Sequence, residues 1–146
     1  TLMSIHKSAF EGCNITFKEY DNALYLDSET TEYKYLIEVK DNTITSCNIH
    51  ENTKVIAMSA FSTCYNLQSI ILPVSVTHVN ASAFNCGKLS MIYYCGDESA
   101  FNKIIIDNEN TYNSELVNGT KYYYSETDTG ANNIWHYDDN GNPVVW

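Results

Sequence analysis

Arginine is absent from this 146-residue chain and lysine is scarce: eight lysines face eighteen aspartates and glutamates, for a formal net charge of −10. Arginine supplies most bidentate contacts to phosphates and base edges, and a strongly acidic surface repels polyanions, so nucleic acid and anionic lipid are excluded as partners. Long apolar runs are absent too. The longest, Ile70-Ile71-Leu72 and Ile104-Ile105-Ile106, fall far short of the roughly 20 residues that cross a bilayer, so this segment is not expected to insert into a membrane. Thr1-Leu2-Met3-Ser4-Ile5 lacks the basic start and apolar stretch of a signal peptide. The cysteines are odd in number, Cys13, Cys47, Cys64, Cys86 and Cys95, and cannot all pair with one another.

What is present is a repeat. Ile44-Thr45-Ser46-Cys47-Asn48-Ile49 leads to Ile56 and Ala60-Phe61, and 23 residues later Leu67-Gln68-Ser69-Ile70-Ile71-Leu72 leads to Val79 and Ala83-Phe84. Self-similarity at about 20 to 29 residues with a strand-like apolar core is the pattern of a leucine-rich solenoid, in which each unit buries its apolar face against its neighbours. A hydrophobic content of 44% in a chain of single-domain size supplies material for such a continuous core.

Laid in register, Ile44, Leu67 and Leu89 form one column, Cys47, Ile70 and Ile92 a second, and Ile49, Leu72 and Tyr94 a third. Alternate residues of a strand point to opposite faces, so these columns are expected inside. Leu2, Thr53 and Val76, followed by Ile5, Ile56 and Val79, predict a second short strand on the opposite wall. Ala9-Phe10, Ala60-Phe61 and Ala83-Phe84 predict a tight turn followed by a stacked Phe ladder. Cys13, Cys64 and Cys86 follow these phenylalanines and, with Cys47, are expected as reduced, buried thiols. Matching Ile5 to Ile56 places Thr1 in mid-repeat, so an upstream portion is expected.

From Ala9 to Ala60 is 51 residues, 28 more than one period. The surplus falls at about 14–43, where β-rich runs at 23–26 and 33–39 flank a polar stretch, and predicts a hairpin insertion. Beyond Cys95-Gly96 the period stops. Asp97 is a helix N-cap before 98–105, and Ala100/Ile104 with Phe101/Ile105 make an apolar stripe. Runs at 121–125 and 134–137, then Asn140-Gly141 before Pro143-Val144-Val145-Trp146, predict a β-rich cap ending in a hairpin. The expected organisation is therefore a mainly β (α/β) leucine-rich repeat solenoid over 1–95, with short helical turns and the hairpin insertion, and a helix plus β-hairpin cap over 96–146.

Signs of catalysis or metal binding are weak. Cys47 and His50 lie three apart and point to opposite faces of a strand, so no zinc cluster emerges. Asp138-Asp139-Asn140-Gly141-Asn142 does not fit a calcium loop, whose closing Glu would lie beyond Trp146. His6, His50, His78 and His136 are scattered and have no recognisable nucleophile beside them. Asp107, Glu109 and Glu115 read as a solvated face. No catalytic residue, metal site or cofactor is therefore expected. The glycosylation patterns at Asn14, Asn80 and Asn118 are explained by chance in an Asn-rich chain. The candidate binding positions are the outward strand columns, Ser46, Ser69 and Met91 beside Asn48, Ile71 and Tyr93. Met91, Tyr93 and Ile71 would make a small exposed apolar patch on the concave face, with packing against a neighbouring repeat as the alternative.

The unit Leu67-x2-Ile70-x-Leu72-Pro73-x-Ser75-Val76-x2-Val79-x3-Ala83-Phe84 resembles the BspA-like class of leucine-rich repeats. His50 and Thr53 replace Pro and Val in the preceding copy. The segments Tyr20-Asp21-Asn22-Ala23-Leu24-Tyr25-Leu26 and Trp135-His136-Tyr137-Asp138 also look like parts of surface proteins of gut Firmicutes. The resemblance implies a non-catalytic, extracellular module, secreted or displayed on a bacterial cell surface, that adheres to protein or glycan on host or neighbouring cells. An accessory or spacer domain of a larger secreted enzyme is the alternative. Trp135-His136-Tyr137-Asp138-Asp139-Asn140-Gly141 also resembles one aromatic hairpin of choline-binding modules, which would imply cell-wall attachment.

Overall fold

The structure, a computed structural model, describes residues 6–109 and 112–146. It opens with a 3₁₀ turn at Lys7–Phe10. An antiparallel meander follows: β1 (Lys18–Tyr20), β2 (Ala23–Leu26) and β3 (Tyr35–Val39). The polar stretch between β2 and β3 is anchored where Asp27 accepts the Tyr33 N–H and Lys18 bridges Asp27 and Glu32.

The alternating units produce two walls. One contains β4 (Ser46–Asn48), β6 (Ser69–Leu72) and β8 (Met91–Tyr94); between them run β5 (Val55–Ile56) and β7 (His78–Val79) of the other. Cys47, Ile70 and Ile92 are direct parallel partners and all three are buried, as are Ile49, Leu72 and Tyr94. Ile56 pairs with Val79 on the facing wall. Thr53, buried above them in a column otherwise apolar, donates its hydroxyl to the Tyr33 carbonyl, which removes the penalty of an unpaired buried polar group. Phe61 and Phe84 lie between the walls, stacked at 4.8 Å with their planes 12° apart.

Beyond Tyr94 come α1 (Glu98–Phe101), β9 (Ile105–Ile106), α2 (Ser114–Asn118), β10 (Thr120–Tyr124), β11 (Ile134–Tyr137) and β12 (Pro143–Val145). The first sheet runs β1-β2-β3-β5-β7-β9 and the second β12-β11-β10-β8-β6-β4. The molecule is thus a mostly β, repeat-like fold of two curled sheets, parallel through their centres, with two short α-helices among the described residues. The second sheet continues past the end of the sequence period: β10 pairs with β8 in parallel, Thr120 opposite Met91 and Tyr123 opposite Tyr94.

Four expectations need correction or limitation. Phe10 stays out of the Phe ladder. It meets Phe17 edge-on at 6.1 Å and joins a small cluster with Ile37 and Ala57, because β3 takes the place beside β5 and its own Leu36, with Ala23 and Tyr25 of β2, enters the main core instead. Cys13, on the same displaced turn, is exposed, whereas Cys47, Cys64 and Cys86 are buried free thiols. The helix expected over 98–105 stops at Phe101. Asp97 caps it as expected, accepting the Ala100 N–H at 2.7 Å, but Ile105 and Ile106 extend beside His78 and Val79; sheet hydrogen bonds outweigh the helical stripe there. Leu2 and Ile5 lie outside the described residues.

Asn113 closes this end of the stack. Fully buried, it accepts the Phe84 N–H at 2.9 Å and donates to the Asn80 and Asp107 carbonyls. Gly119, at the end of α2, lies where an added Cβ would stand 2.7 Å from the Glu115 carbonyl oxygen as well as 2.4 Å from the end of the Ile92 side chain, and the backbone contact is one that only glycine avoids.

Candidate functional site: a cleft at the strand ends

The outward columns of the second sheet are in the expected register, with Ser46, Ser69 and Met91 as partners beside Asn48, Ile71 and Tyr93. Their exposure differs from expectation. Ile71 and Tyr93 are only 8% and 9% exposed and, with the fully buried Trp135, form a second apolar cluster flanked by Met91, Tyr122, Cys95 and Val145. Tyr93 stacks on Tyr122 at 5.5 Å and meets Trp135 edge-on at 5.5 Å. The Trp135 indole N–H donates to the Tyr94 carbonyl at 2.8 Å. The expected exposed patch is thus a covered one, because the C-terminal strands bring an indole over it.

The β11–β12 hairpin is held by short-range bonds. Asp138 accepts the N–H groups of Asn140 and Asn142 at 2.9 and 2.8 Å, and Gly141 takes a φ of +81°, so the acidic run is a turn device. Trp146 stacks on His136 at 3.8 Å and donates to the Ser125 carbonyl. The hairpin tip, Gly141 to Pro143, borders a hollow of about 180 Å³ that includes Ser46, Asn48, Ser69 and Ile71.

A larger cleft, about 670 Å³, lies at the carboxyl ends of the second sheet's parallel strands. β4 contributes Asn48 and the following His50, Glu51 and Asn52; Pro73-Val74 and Cys95 follow β6 and β8; Tyr124 and Tyr137 end β10 and β11. Tyr20, the last residue of β1, completes the rim. Strand ends in parallel sheets expose loop and terminal side chains toward one common space, a recurrent location for ligands.

Two aromatic walls face this space. On one, Trp135 buttresses Tyr124 edge-on at 5.3 Å and Tyr137 at 4.8 Å. On the other, His50 stacks on Tyr33 at 4.0 Å and meets Tyr20 edge-on at 4.8 Å. Asn48 donates its amide to the Tyr20 hydroxyl at 3.3 Å. The imidazole Nδ1 of His50 accepts the Asn52 N–H at 3.1 Å, which requires it to be unprotonated; burial lowers the His50 pKa in the same sense. Burial, followed by Asp21 and Glu51, raises that of Tyr20. Burial and the neighbouring Cys95 raise that of Tyr137, while burial takes the Cys95 thiol up to about 11. A thiol so weakly acidic is a poor nucleophile at neutral pH.

Among the sequence-derived site residues only Asn48 lines the cleft; Ser46, Ser69 and Ile71 lie at the smaller hollow, and Met91 and Tyr93 belong to the cluster around Trp135. Tyr20, His50, Glu51, Tyr124 and Tyr137 were missed. The available signal was a polar or aromatic residue at or just after each strand, at Asn48-Ile49-His50, Tyr124 and Tyr137. Among the described residues no group of three or more His, Cys, Asp or Glu side chains could hold a metal ion, and no helix is long and apolar enough to cross a membrane. Asn80, in one of the glycosylation patterns, is 6% exposed.

Stacked, mainly parallel strands built on a 23-residue period define a β-rich repeat protein. More specifically, the chain belongs to the BspA-type leucine-rich repeat family: the family model described as "BspA type Leucine rich repeat region (6 copies)" matches residues 1–113. Proteins of this family are typically surface or secreted bacterial proteins, and such repeats generally serve as non-catalytic modules that bind proteins. No curated protein and no solved structure matches the chain.

Proposed function

We propose that the chain is a non-catalytic recognition module of an extracellular bacterial protein, adhering to protein or glycan on host or neighbouring cells, and that the cleft at the strand ends is its principal binding site. The two sheets form one leucine-rich solenoid, the β1–β3 meander being its insertion and the residues beyond Cys95 its cap. The observation that carries this reading is the convergence of Tyr20, His50, Glu51, Tyr124 and Tyr137, from four separate strands or their following loops, on one open concavity. Partly exposed aromatic rings in a rigid hollow are suited to contact, since they offer apolar area at little entropic cost and a polar atom for orientation.

The strip of Ser46, Asn48 and Ser69 beside the hairpin tip extends the same surface, whereas Ile71, Met91 and Tyr93 serve the fold beneath Trp135. The net charge of −10 favours encounter with basic or neutral surfaces. An array of extracellular-matrix proteins and glycans, probed with the native protein and with a Tyr20→Ala, Tyr137→Ala double variant, tests the reading. Capture of an arrayed partner by the native protein and loss of capture by the variant are expected; equal capture by both would place the binding surface elsewhere.

A further inference from the structure

We infer that the cleft takes a neutral sugar ring, held between the Tyr124–Tyr137 wall and the Tyr20–His50 wall, an inference that rests on the cleft being the binding site. A pyranose has two chemically unlike parts: apolar C–H faces and a rim of hydroxyls that both donate and accept. The cleft has counterparts to each. Tyr20, Tyr124 and Tyr137 are 37%, 38% and 40% exposed, so each ring keeps open surface, yet each is braced by another aromatic group behind or beside it. Bracing matters because a platform already immobile loses little entropy when a ring stacks on it.

Asn48, Asn52 and Glu51 also line the cleft and supply amide donors, one of them on Asn48 already given to the Tyr20 hydroxyl, together with amide and carboxylate acceptors, the mixture a polyol can satisfy. Val74, on the rim, adds an apolar edge. The volume, about 670 Å³, is of the order of pockets that enclose small molecules.

Charge narrows the class. The lining contains one carboxylate and no lysine, so an acidic sugar or a phosphate would meet Glu51 without a compensating cation. An organic cation would be attracted to Glu51 and to the rings, but it offers no acceptor to the amide N–H groups of Asn48 and Asn52. Tyr124 and Tyr137 are also held edge-on against Trp135 and are not free to close around a point charge. A peptide partner would use the same rings without needing the polar floor.

The test is isothermal titration of the intact protein with maltotriose, cellotriose and tri-N-acetylchitotriose, with 3′-sialyllactose, tetramethylammonium and a Lys-rich decapeptide as comparison ligands. Saturable binding of at least one neutral trisaccharide is expected, weakened about tenfold or more by Tyr20→Ala or Tyr137→Ala and within about threefold of native in Tyr137→Phe, as loss of one stacked ring predicts. Val74→Trp, at an exposed rim position outside the core, narrows the cleft and adds an indole to its edge, and is expected to change trisaccharide affinity about threefold or more even if a tyrosine variant folds poorly. Absence of binding by all three neutral trisaccharides overturns the sugar inference. Binding of tetramethylammonium or the decapeptide alone, changed in Val74→Trp, overturns it while leaving the cleft as a binding site. Trisaccharide binding unchanged by Val74→Trp and both alanine variants overturns the cleft reading itself.

Discussion

Two apolar regions of this molecule differ in origin. The interior between the sheets is assembled from positions that recur with the repeat: Cys47, Ile70 and Ile92 on one wall, Ile56 and Val79 on the other, Phe61 and Phe84 between them. The cluster of Ile71, Tyr93 and Trp135 lies on the opposite face of the second sheet and depends on a residue from beyond the repeat. A period can place the inward column wherever a unit meets its own copy, and fails at Phe10 and Cys13, where the inserted β3 stands beside β5 instead. It cannot specify what covers the outward column, since that surface is presented to whatever the rest of the chain brings.

The comparison is tested most strongly at Trp135. Replacing this fully buried side chain by alanine removes its packing over Tyr93 and leaves the Tyr94 carbonyl without its indole donor; the expected loss in urea denaturation is about 4 to 5 kcal/mol. A loss below about 1 kcal/mol would show the outer cluster to be a loose cover over a sheet that is stable without it. Phe61→Ala opens a cavity in the interior ladder and is expected to cost about 3 to 5 kcal/mol, whereas an unchanged melting curve would contradict the stacking of Phe61 on Phe84. Ile71→Ala, at the outer face of the repeat itself, is expected to cost about 2 to 4 kcal/mol if that face is a true core. A near-neutral result would return Ile71 to the class of surface residues.

The smallest effect expected is that of pH on the cleft. His50 is held unprotonated by burial and by its acceptor role toward Asn52, with Glu51 and Glu32 favouring protonation and Lys18 opposing it. Its folded pKa lies below its unfolded one, so the unfolded chain takes up the proton first as pH falls. Stability from this group is full above the ordinary histidine range and declines as pH drops through it toward the lowered folded value. Melting temperatures between pH 8 and 5 are expected to fall on the acid side, and less steeply in His50→Gln.

Much of the fold was legible where local pattern and tertiary contact agree. The alternation Cys47/Ile49 and Ile70/Leu72, repeated at one interval, determines which side chains turn inward. The N-cap at Asp97 was legible from its residue type and position. Phe10 and Ile105 were misjudged because each obeys a local motif that a neighbouring strand overrides: β3 beside β5 for the first, β7 beside β9 for the second. The register of β10 on β8 was hidden because α1, β9 and α2 lengthen the interval between them. The cleft was harder still to foresee. Its residues share no spacing, and only the parallel alignment of strand ends gathers them.

The residue pattern was sufficient for the repeat, the family, the inward strand columns from Cys47 to Tyr94 and the acidic character, since these follow from periodicity and charge, which are properties of the chain read in order. Tertiary structure alone decided that Trp135 covers Ile71 and Tyr93, that Tyr20 and Tyr137 line one cleft, and that this open cleft lies at the strand ends. Those outcomes depend on contacts between segments remote along the chain, where burial of an indole and pairing of its N–H outweigh any local preference.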